Sequence, residues 1–220
     1  MTETQHLLGT GERLPGQDSG RQEPARPPGR PRSERAEKAI IEATLDLLAE
    51  EAGVAGVSIE AVAARAGVGK TTIYRRWPNK EALIVDALAA IKHPIPEPAG
   101  RSVREDLLAL VRAIGSEQEH RHTKCFWNVL GSAEKHPGLL EKYRQEVIRP
   151  RRDIFRRVLR RGAETGELRS DIDVEVALSL LIGAVTMQAR ALAPLDTASE
   201  EFPDKVVDAV LRGLAPRPPA

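Results

Sequence analysis

A short segment in the first half of the chain concentrates side chains that can bind anions. Between Ser58 and Lys80 it carries five basic residues against a single acid, Glu60. Hydroxyl groups are interleaved with these charges in the set Lys70, Thr71, Thr72, Tyr74, Arg75 and Arg76. Such side chains donate hydrogen bonds to phosphate oxygens and base edges. The segment therefore favours a nucleic-acid partner, with a solvated charged helix face as the alternative.

The apolar pattern around this segment predicts two short helices joined by a tight turn. Ser58 is placed to cap the first helix, which stops at Gly67. The second helix is predicted over 70–77, with Ile73 and Trp77 buried one turn apart. Two short helices connected in this way indicate a helix-turn-helix.

Further helices are predicted on both sides of this motif. One covers about 33–52, and another covers about 79–91 after the helix-breaking Pro78. A proline-rich loop at 93–100 follows. The predicted organisation is an arm at 1–32, a helix-turn-helix unit at 33–92 and a larger helical unit at 101–215.

The arm is polar and rich in Gly and Pro, so it is predicted to be disordered. It ends with Arg26, Arg30 and Arg32 on a stiff extended scaffold. These arginines suit a DNA minor groove or a phosphate backbone, with a solvated tail as the alternative.

Composition indicates an all-α protein of the cytoplasm. Hydrophobic residues make up 41% of the chain and aromatic residues only 3%, while Ala, Leu, Arg and Glu are abundant. The single cysteine excludes an intramolecular disulfide, and the longest apolar stretch, 176–187, is too short to cross a membrane. The net charge of +1 argues neither for nor against a nucleic-acid partner.

Five more helices are predicted in the second unit. Pro150 interrupts the third of them, which is therefore either kinked or split into two. The five cover about 102–114, 123–134, 138–162, 173–192 and 203–214.

The run from Ser58 to Leu83, SIEAVAARAGVGKTTIYRRWPNKEAL, closely resembles the DNA-binding signature of TetR-type (TetR/AcrR) repressors. The resemblance covers about 32–91 firmly, and beyond it rests on helix count and on the segment 166–173. It implies about nine helices, in which a three-helix N-terminal domain binds DNA and a C-terminal bundle dimerises and senses a ligand. The implied partners are double-stranded DNA with a palindromic operator, a second copy of the chain and an unidentified small-molecule effector. Repression is the family's commoner behaviour.

The resemblance also assigns roles to individual residues. Lys70, Thr71 and Thr72 would contact bases or phosphates, and Tyr74 and Lys80 would contact phosphates. The full predicted DNA-binding set is Arg32, Arg35, Ser58, Lys70, Thr71, Thr72, Tyr74, Arg75, Arg76 and Lys80. Two positions depart from the family pattern: Gly69 replaces a common Ser or Thr cap, and Trp77 replaces the commoner Phe.

The segment 173–192 is apolar on nearly every face. A helix that packs against the core with one stripe would need fewer apolar residues. With the last helix it predicts a four-helix interface between two copies, and an internal core helix is the alternative. The predicted interface residues are Leu178, Leu181, Ile182, Val185, Val207, Val210 and Leu211.

A ligand pocket is predicted inside the C-terminal bundle, with ordinary core packing as the alternative for each lining residue. The predicted lining is Phe126, Trp127, Leu130, Tyr143, Phe155 and Met187.

Other patterns leave alternatives open. Residues 64–71 satisfy a loose Walker A pattern of P-loop enzymes, but they follow a predicted helix rather than a strand. His120, His122 and Cys125 are candidates for a metal sensor. The arginine cluster at 149–161 is a candidate second nucleic-acid surface, an anionic-ligand site or a solvated face.

No catalytic triad or paired-carboxylate site is recognisable, so neither an enzyme nor a cofactor is predicted. A purely structural helical dimer is the remaining hypothesis from another class of protein.

Overall fold

A computed structural model of the chain describes residues 30–50, 52–115, 120–191 and 201–214. Every regular element within these ranges is helical, so the all-α prediction is confirmed. The α-helices are α1 (Arg30–Ala49), α2 (Ile59–Ala66), α3 (Lys70–Tyr74), α4 (Lys80–Ala90), α5 (Val103–Gly115), α6 (His120–Gly131), α7 (Pro137–Tyr143), α8 (Arg149–Thr165), α9 (Val174–Ala191) and α10 (Phe202–Leu214). A 3-10 turn at Gly53–Gly56 separates α1 from α2.

A π-helical turn at Arg144–Ile148 joins α7 to α8 without a break. In this turn the N–H of Arg149 donates to the carbonyl of Arg144, five residues back. Pro150 has no N–H to donate, and the wider turn just before it accommodates the missing hydrogen bond. Of the two alternatives at Pro150, a kinked helix or two separate helices, the continuous rod excludes the second, and the described residues form nine helical rods.

Most helix ends lie within about a turn of their predicted positions. Because α1 begins at Arg30, residues 30–32 are helical rather than part of an extended arm, and 1–29 lie outside the described residues. Helix α3 ends at Tyr74 rather than near Trp77, although the N–H of Trp77 still donates to the carbonyl of Ile73 at 3.0 Å.

The first hydrophobic core unites the helix-turn-helix unit with two helices of the second unit. Leu48 of α1, Val62 of α2 and Leu88 of α4 are fully buried in it. Cys125 of α6 and Leu139 of α7 belong to the same core. This core therefore extends across the loop 93–100, where the sequence predicts a boundary.

The second core lies among α5, α8, α9 and α10. Leu107, Phe155, Leu181 and Val207 are fully buried there, one from each helix. The cavity described below lies where α6 and the α7–α8 rod approach α9. In the described part of the chain, no helix is both long and apolar enough to cross a membrane.

Candidate nucleic-acid interface and apolar cavity

Hydrogen bonds at both ends fix where α2 begins and ends. The hydroxyl oxygen of Ser58 accepts a hydrogen bond from the N–H of Ala61 at 3.1 Å, which satisfies a free donor at the start of the helix. At the other end, Gly67 adopts the left-handed conformation with φ 65°, and its N–H donates to the carbonyls of Ala63 and Ala64. Other residues are strained in this conformation, so glycine allows the chain to turn directly towards α3.

Helix α3 is anchored on one side and exposed on the other. Ile73 is fully buried and Trp77 is 4% exposed, and both pack into the first core. The indole N–H of Trp77 also donates to Oδ2 of Asp86 on α4 at 2.7 Å. Tyr74 is 53% exposed. Lys70, Thr71 and Arg75 are exposed as well, and Thr72 is half-buried, so the solvent side of α3 is rich in hydrogen-bond donors.

Two basic residues of this surface are paired with carboxylates of neighbouring helices. Nζ of Lys70 lies 3.0 Å from Oε1 of Glu60, and this hydrogen bond lowers the pKa of the Glu60 carboxyl. Arg76 pairs with Glu37 of α1 at 3.1 Å. Both carboxylates and Lys70 are exposed and Arg76 is half-buried, so exchanging the carboxylates for phosphates of a nucleic acid costs little.

The other predicted contacts surround α3. Nζ of Lys80 donates to the carbonyl of Val57 at 3.2 Å, which places the start of α4 beside the start of α2. Arg35 is exposed on α1, and the oxygen of Ser58 is engaged as the α2 cap. The side chain of Arg32 lies outside the described part of the chain. The predicted DNA-binding side chains that the structure describes therefore lie on α1, on and just after α3, and at the N-terminal ends of α2 and α4.

A cavity of about 410 Å³ lies among the residues just after α4, the end of α5, α6, the α7–α8 rod and α9, within the usual volume range of small-molecule sites. Five of the six residues predicted for a ligand pocket line it. They are Phe126, Trp127, Leu130, Tyr143 and Met187. The sixth, Phe155, does not line this cavity, because its side chain is buried in the second core.

Aromatic rings form one wall of the cavity. Phe126 and Trp127 pack edge to face with ring centroids 5.2 Å apart, and Tyr143 lies 6.2 Å from Phe126. Nζ of Lys92 lies 5.4 Å from the centroid of Phe126, in a cation–π contact. Lys92 and Ile91 both line the cavity just after the last residue of α4. The cavity therefore adjoins the helix whose other end lies beside the donor-rich surface.

Sequence reasoning found only part of the basic lining: it named Arg151 and Arg152 within the 149–161 cluster, with an anionic-ligand site as one alternative, and it missed Lys92 and Arg144. Arg144, Arg151 and Arg152 line the cavity, and Arg151 also donates to the carbonyl of His93 at 2.6 Å. Their spacing of seven and eight residues places them on one face of a continuous helix. This spacing could have predicted a shared basic face only if the helix continued through Pro150, which the sequence pattern left undecided.

Two family models match the chain. The model described as "Bacterial regulatory proteins, tetR family" matches residues 40–87, and the model described as "Tetracyclin repressor-like, C-terminal domain" matches residues 97–210. The second match alone spans more than half of the chain. The chain belongs to the TetR family. It is a helix-turn-helix transcriptional regulator, as the sequence predicts.

Similar proteins cover most of this TetR-family chain. An uncharacterised helix-turn-helix-type transcriptional regulator of Bacillus subtilis, YdeS, is 32% identical over 84% of this chain and 93% of its own length. A DNA-binding transcriptional repressor TetR of Mycobacteroides abscessus is 28% identical, over 82% and 94%. The crystal structure of a TetR family transcription regulator aligns with a TM-score of 0.57 at 31% identity, covering 83% and 100% of the two chains. FadR of Bacillus subtilis, solved in complex with stearoyl-CoA, shares the fold with a TM-score of 0.59 at 19% identity, covering 80% and 98%.

The residues predicted for a subunit interface do not share one surface of this TetR-family chain. Four of them are at most 2% exposed and form part of the second core, so they have no surface to offer a partner: Leu178, Leu181, Val185 and Val207. Ile182, Val210 and Leu211 are half-buried. The large apolar side chains that α9 does expose are Val176, Leu180 and Met187, at 55%, 56% and 51%.

The structure also bears on the alternative sites. The thiol of Cys125 is buried and donates to the carbonyl of Leu45 at 3.2 Å, and burial raises the pKa of this thiol to about 11. The described residues contain no group of three or more His, Cys, Asp or Glu side chains that could hold a metal ion, and the side chain of His120 lies outside them. The Walker A interpretation is wrong, because helix α2 stands where a P-loop needs a strand.

Proposed function

We propose that this TetR-family regulator is a ligand-responsive repressor that binds a palindromic operator as a homodimer. The position of the cavity against α4 carries the proposal. Ile91 and Lys92 line the cavity after one end of α4, while Lys80 at the other end lies beside α2. Between these ends, Asp86 accepts the hydrogen bond from Trp77 that anchors α3. A ligand that fills the cavity can therefore displace the helix that holds the DNA-binding surface.

The exposed face of α3 is proposed to enter the major groove of DNA. Lys70, Thr71 and Thr72 would contact bases or phosphates, and Tyr74 would donate to a phosphate. Phosphates would also be bound by Arg75, Arg76 and Lys80, and more peripherally by Arg32, Arg35 and Ser58. Because so many of these groups are cations, operator affinity should fall steeply with salt concentration.

The outward stripe of α9 is proposed as the centre of the dimer interface. Val176, Leu180, Gly183 and Met187 follow one another at helical spacing on this helix, and the last two also line the cavity, so the proposed interface borders it. A Cβ atom at Gly183 would meet no atom within 4 Å, so a partner helix can approach closely there. Burial of this apolar stripe stabilises a symmetric dimer. A twofold axis then sets the distance between the two α3 helices, which is why a palindromic operator is expected.

The two functions are proposed to lie in separate parts of the chain. Residues 33–92 bind DNA, and residues 101–215 bind the ligand and form the dimer. A ligand that binds better when the two α3 helices are wrongly spaced lowers operator affinity by that difference in binding free energy. The relative in Mycobacteroides abscessus is named a repressor, and FadR has the same fold with stearoyl-CoA bound, which supports repression and a bound ligand.

The test is binding of the purified full-length chain to DNA from around its own gene, measured by fluorescence anisotropy during a salt titration. Tight binding to a palindromic fragment is expected, with a steep salt dependence. The double variant Lys70→Ala, Tyr74→Phe should bind this fragment at least about tenfold more weakly, because it loses a cation and a donor to phosphate.

The matched control is Lys135→Ala, which removes an exposed lysine outside the proposed DNA-binding set. This control should bind like the parent chain. Weak binding that is indifferent to DNA sequence and unchanged in the α3 variant would instead favour a structural helical dimer.

A further inference from the structure

The lining of the cavity is chemically divided. One part is apolar and includes Phe126, Trp127 and Ile182. The side chains in the lining that are always charged at neutral pH are all basic: Lys92, Arg144, Arg151 and Arg152. The described lining includes no Asp or Glu. Cations grouped beside an apolar wall produce a positive potential that favours an anionic guest.

In the described part of the chain, the one acidic side chain that contacts Arg152, Glu175, is held more closely by another arginine. Glu175 binds Arg156 at 2.5 and 2.9 Å but reaches Arg152 only at 3.5 Å. The hydrogen bond from Arg156 lowers the pKa of the Glu175 carboxyl, as expected for a carboxylate held by that guanidinium. Other arginines of the 149–161 cluster pair with acids that do not line the cavity, as Arg157 does with Glu97 and Arg161 with Asp106.

Arg152 is the cation best prepared to receive an anion. Its Nε is buried and has no hydrogen-bond partner. Its terminal nitrogen makes only long contacts of 3.5 Å, to Glu175 and to Ser179. A buried guanidinium N–H without an acceptor is destabilising, and an anion in the cavity would supply that acceptor. The planar guanidinium matches carboxylate and phosphate oxygens especially well.

We propose that the effector is an amphipathic organic anion. Its apolar body packs against the aromatic wall, and its carboxylate or phosphate group lies against Arg152 and Arg144. The proposal rests on the ligand-responsive function proposed above and adds the chemical class of the ligand. A cationic effector does not fit, because no carboxylate in the described lining can pair with it and Lys92 already lies against the ring of Phe126.

Four probes with the same ten-carbon tail test this class: decanoate, decyl phosphate, decanol and decyltrimethylammonium. Isothermal titration calorimetry of the full-length chain, with each probe below its micellar concentration, compares their affinities. We expect at least one of the two anions to bind at least about tenfold more tightly than decanol, and the ammonium probe to bind most weakly. The order of the two anions distinguishes a carboxylate effector from a phosphate effector.

Two variants locate the anion within the cavity. Arg152→Gln and Arg144→Gln should each weaken binding of the preferred anion about tenfold and leave decanol binding unchanged. Arg160→Gln is the matched control, because Arg160 is exposed on α8 and does not line the cavity. Circular dichroism of each variant establishes that it is folded.

The proposal is overturned if neither anion binds more tightly than decanol, if the cation binds best, or if both arginine variants bind the anion normally. Operator binding separates this outcome from failure of the proposed function. Arginine-dependent anion binding that leaves operator affinity unchanged supports the ligand class and refutes ligand-responsive repression. Release of the operator by the ammonium probe refutes the ligand class and supports ligand-responsive repression.

Discussion

At the scale of single residues, the carboxylate of Asp106 ties three segments of the chain together. Asp106 is 3% exposed, and Oδ1 accepts a hydrogen bond from the N–H of Ala99 at 2.8 Å. Oδ2 accepts from Gly100 at 3.1 Å and from Arg161 of α8 at 2.8 Å. The loop that leads from α4 to α5 is therefore fixed against α8 by one side chain.

Replacing Asp106 by Asn should lower the free energy of unfolding by about 2 kcal/mol. The substitution keeps the size of the side chain but removes the charge that Arg161 and two backbone donors share. Urea denaturation followed by circular dichroism measures the change. Asp171→Asn is the control. Asp171 pairs with Arg169, but its side chain is 69% exposed, so this substitution should lower the free energy of unfolding by less than about 0.5 kcal/mol. Equal destabilisation by the two substitutions would contradict this account of Asp106.

At the scale of helices, local signals explain what the sequence could predict. Ser58 and Asn79 cap α2 and α4 through their own side chains, and Gly67 ends α2, so the helix-turn-helix is encoded within a few residues. The sides of α9 were not predictable in the same way. Its apolar residues occur on all sides of the helix. Only packing against α5, α8 and α10 determines that Leu178 is buried and Leu180 is exposed.

The basic lining of the cavity was only partly predictable, for a related reason. Arg144 and Arg152 belong to a helix with many arginines, and the partners that distinguish them lie far away in sequence. Glu97 pairs with Arg157, and Glu175 pairs more closely with Arg156 than with Arg152. Which arginines remain in the cavity lining is therefore decided by tertiary packing rather than by spacing along α8.

The exposed stripe of α9 leads to a prediction about assembly. Leu180→Glu should convert a dimer into monomers without unfolding the chain, because Leu180 is 56% exposed within one protomer but would be buried against a partner. Sedimentation equilibrium measures the mass, and circular dichroism measures the helix content. Ala109→Glu, on the exposed side of α5, is the control and should remain dimeric. A Leu180→Glu protein that stays dimeric would place the interface elsewhere.

At the scale of the whole molecule, α6 joins the cavity to the DNA-binding unit. The helix contributes Phe126 and Trp127 to the cavity wall. From the same helix, Arg121 pairs with both Glu42 and Asp46 of α1 at 2.8 Å. These ion pairs hold α6 along α1, so a displacement of α6 by a ligand is passed to the unit that carries α3.

This arrangement predicts how Arg121→Gln changes regulation. The variant should bind the operator and the effector about as tightly as the parent, but each should weaken the other less, because α6 is no longer held to α1 by charge. Thermodynamic linkage requires the effector to weaken operator binding by the same factor that the operator weakens effector binding, typically about 5–150-fold. Anisotropy titrations with and without the preferred anionic probe, and calorimetry with and without operator, measure the two factors. Both should fall together in Arg121→Gln and remain unchanged in the control Arg169→Gln. A full coupling factor in Arg121→Gln would mean that the signal passes through α4 alone.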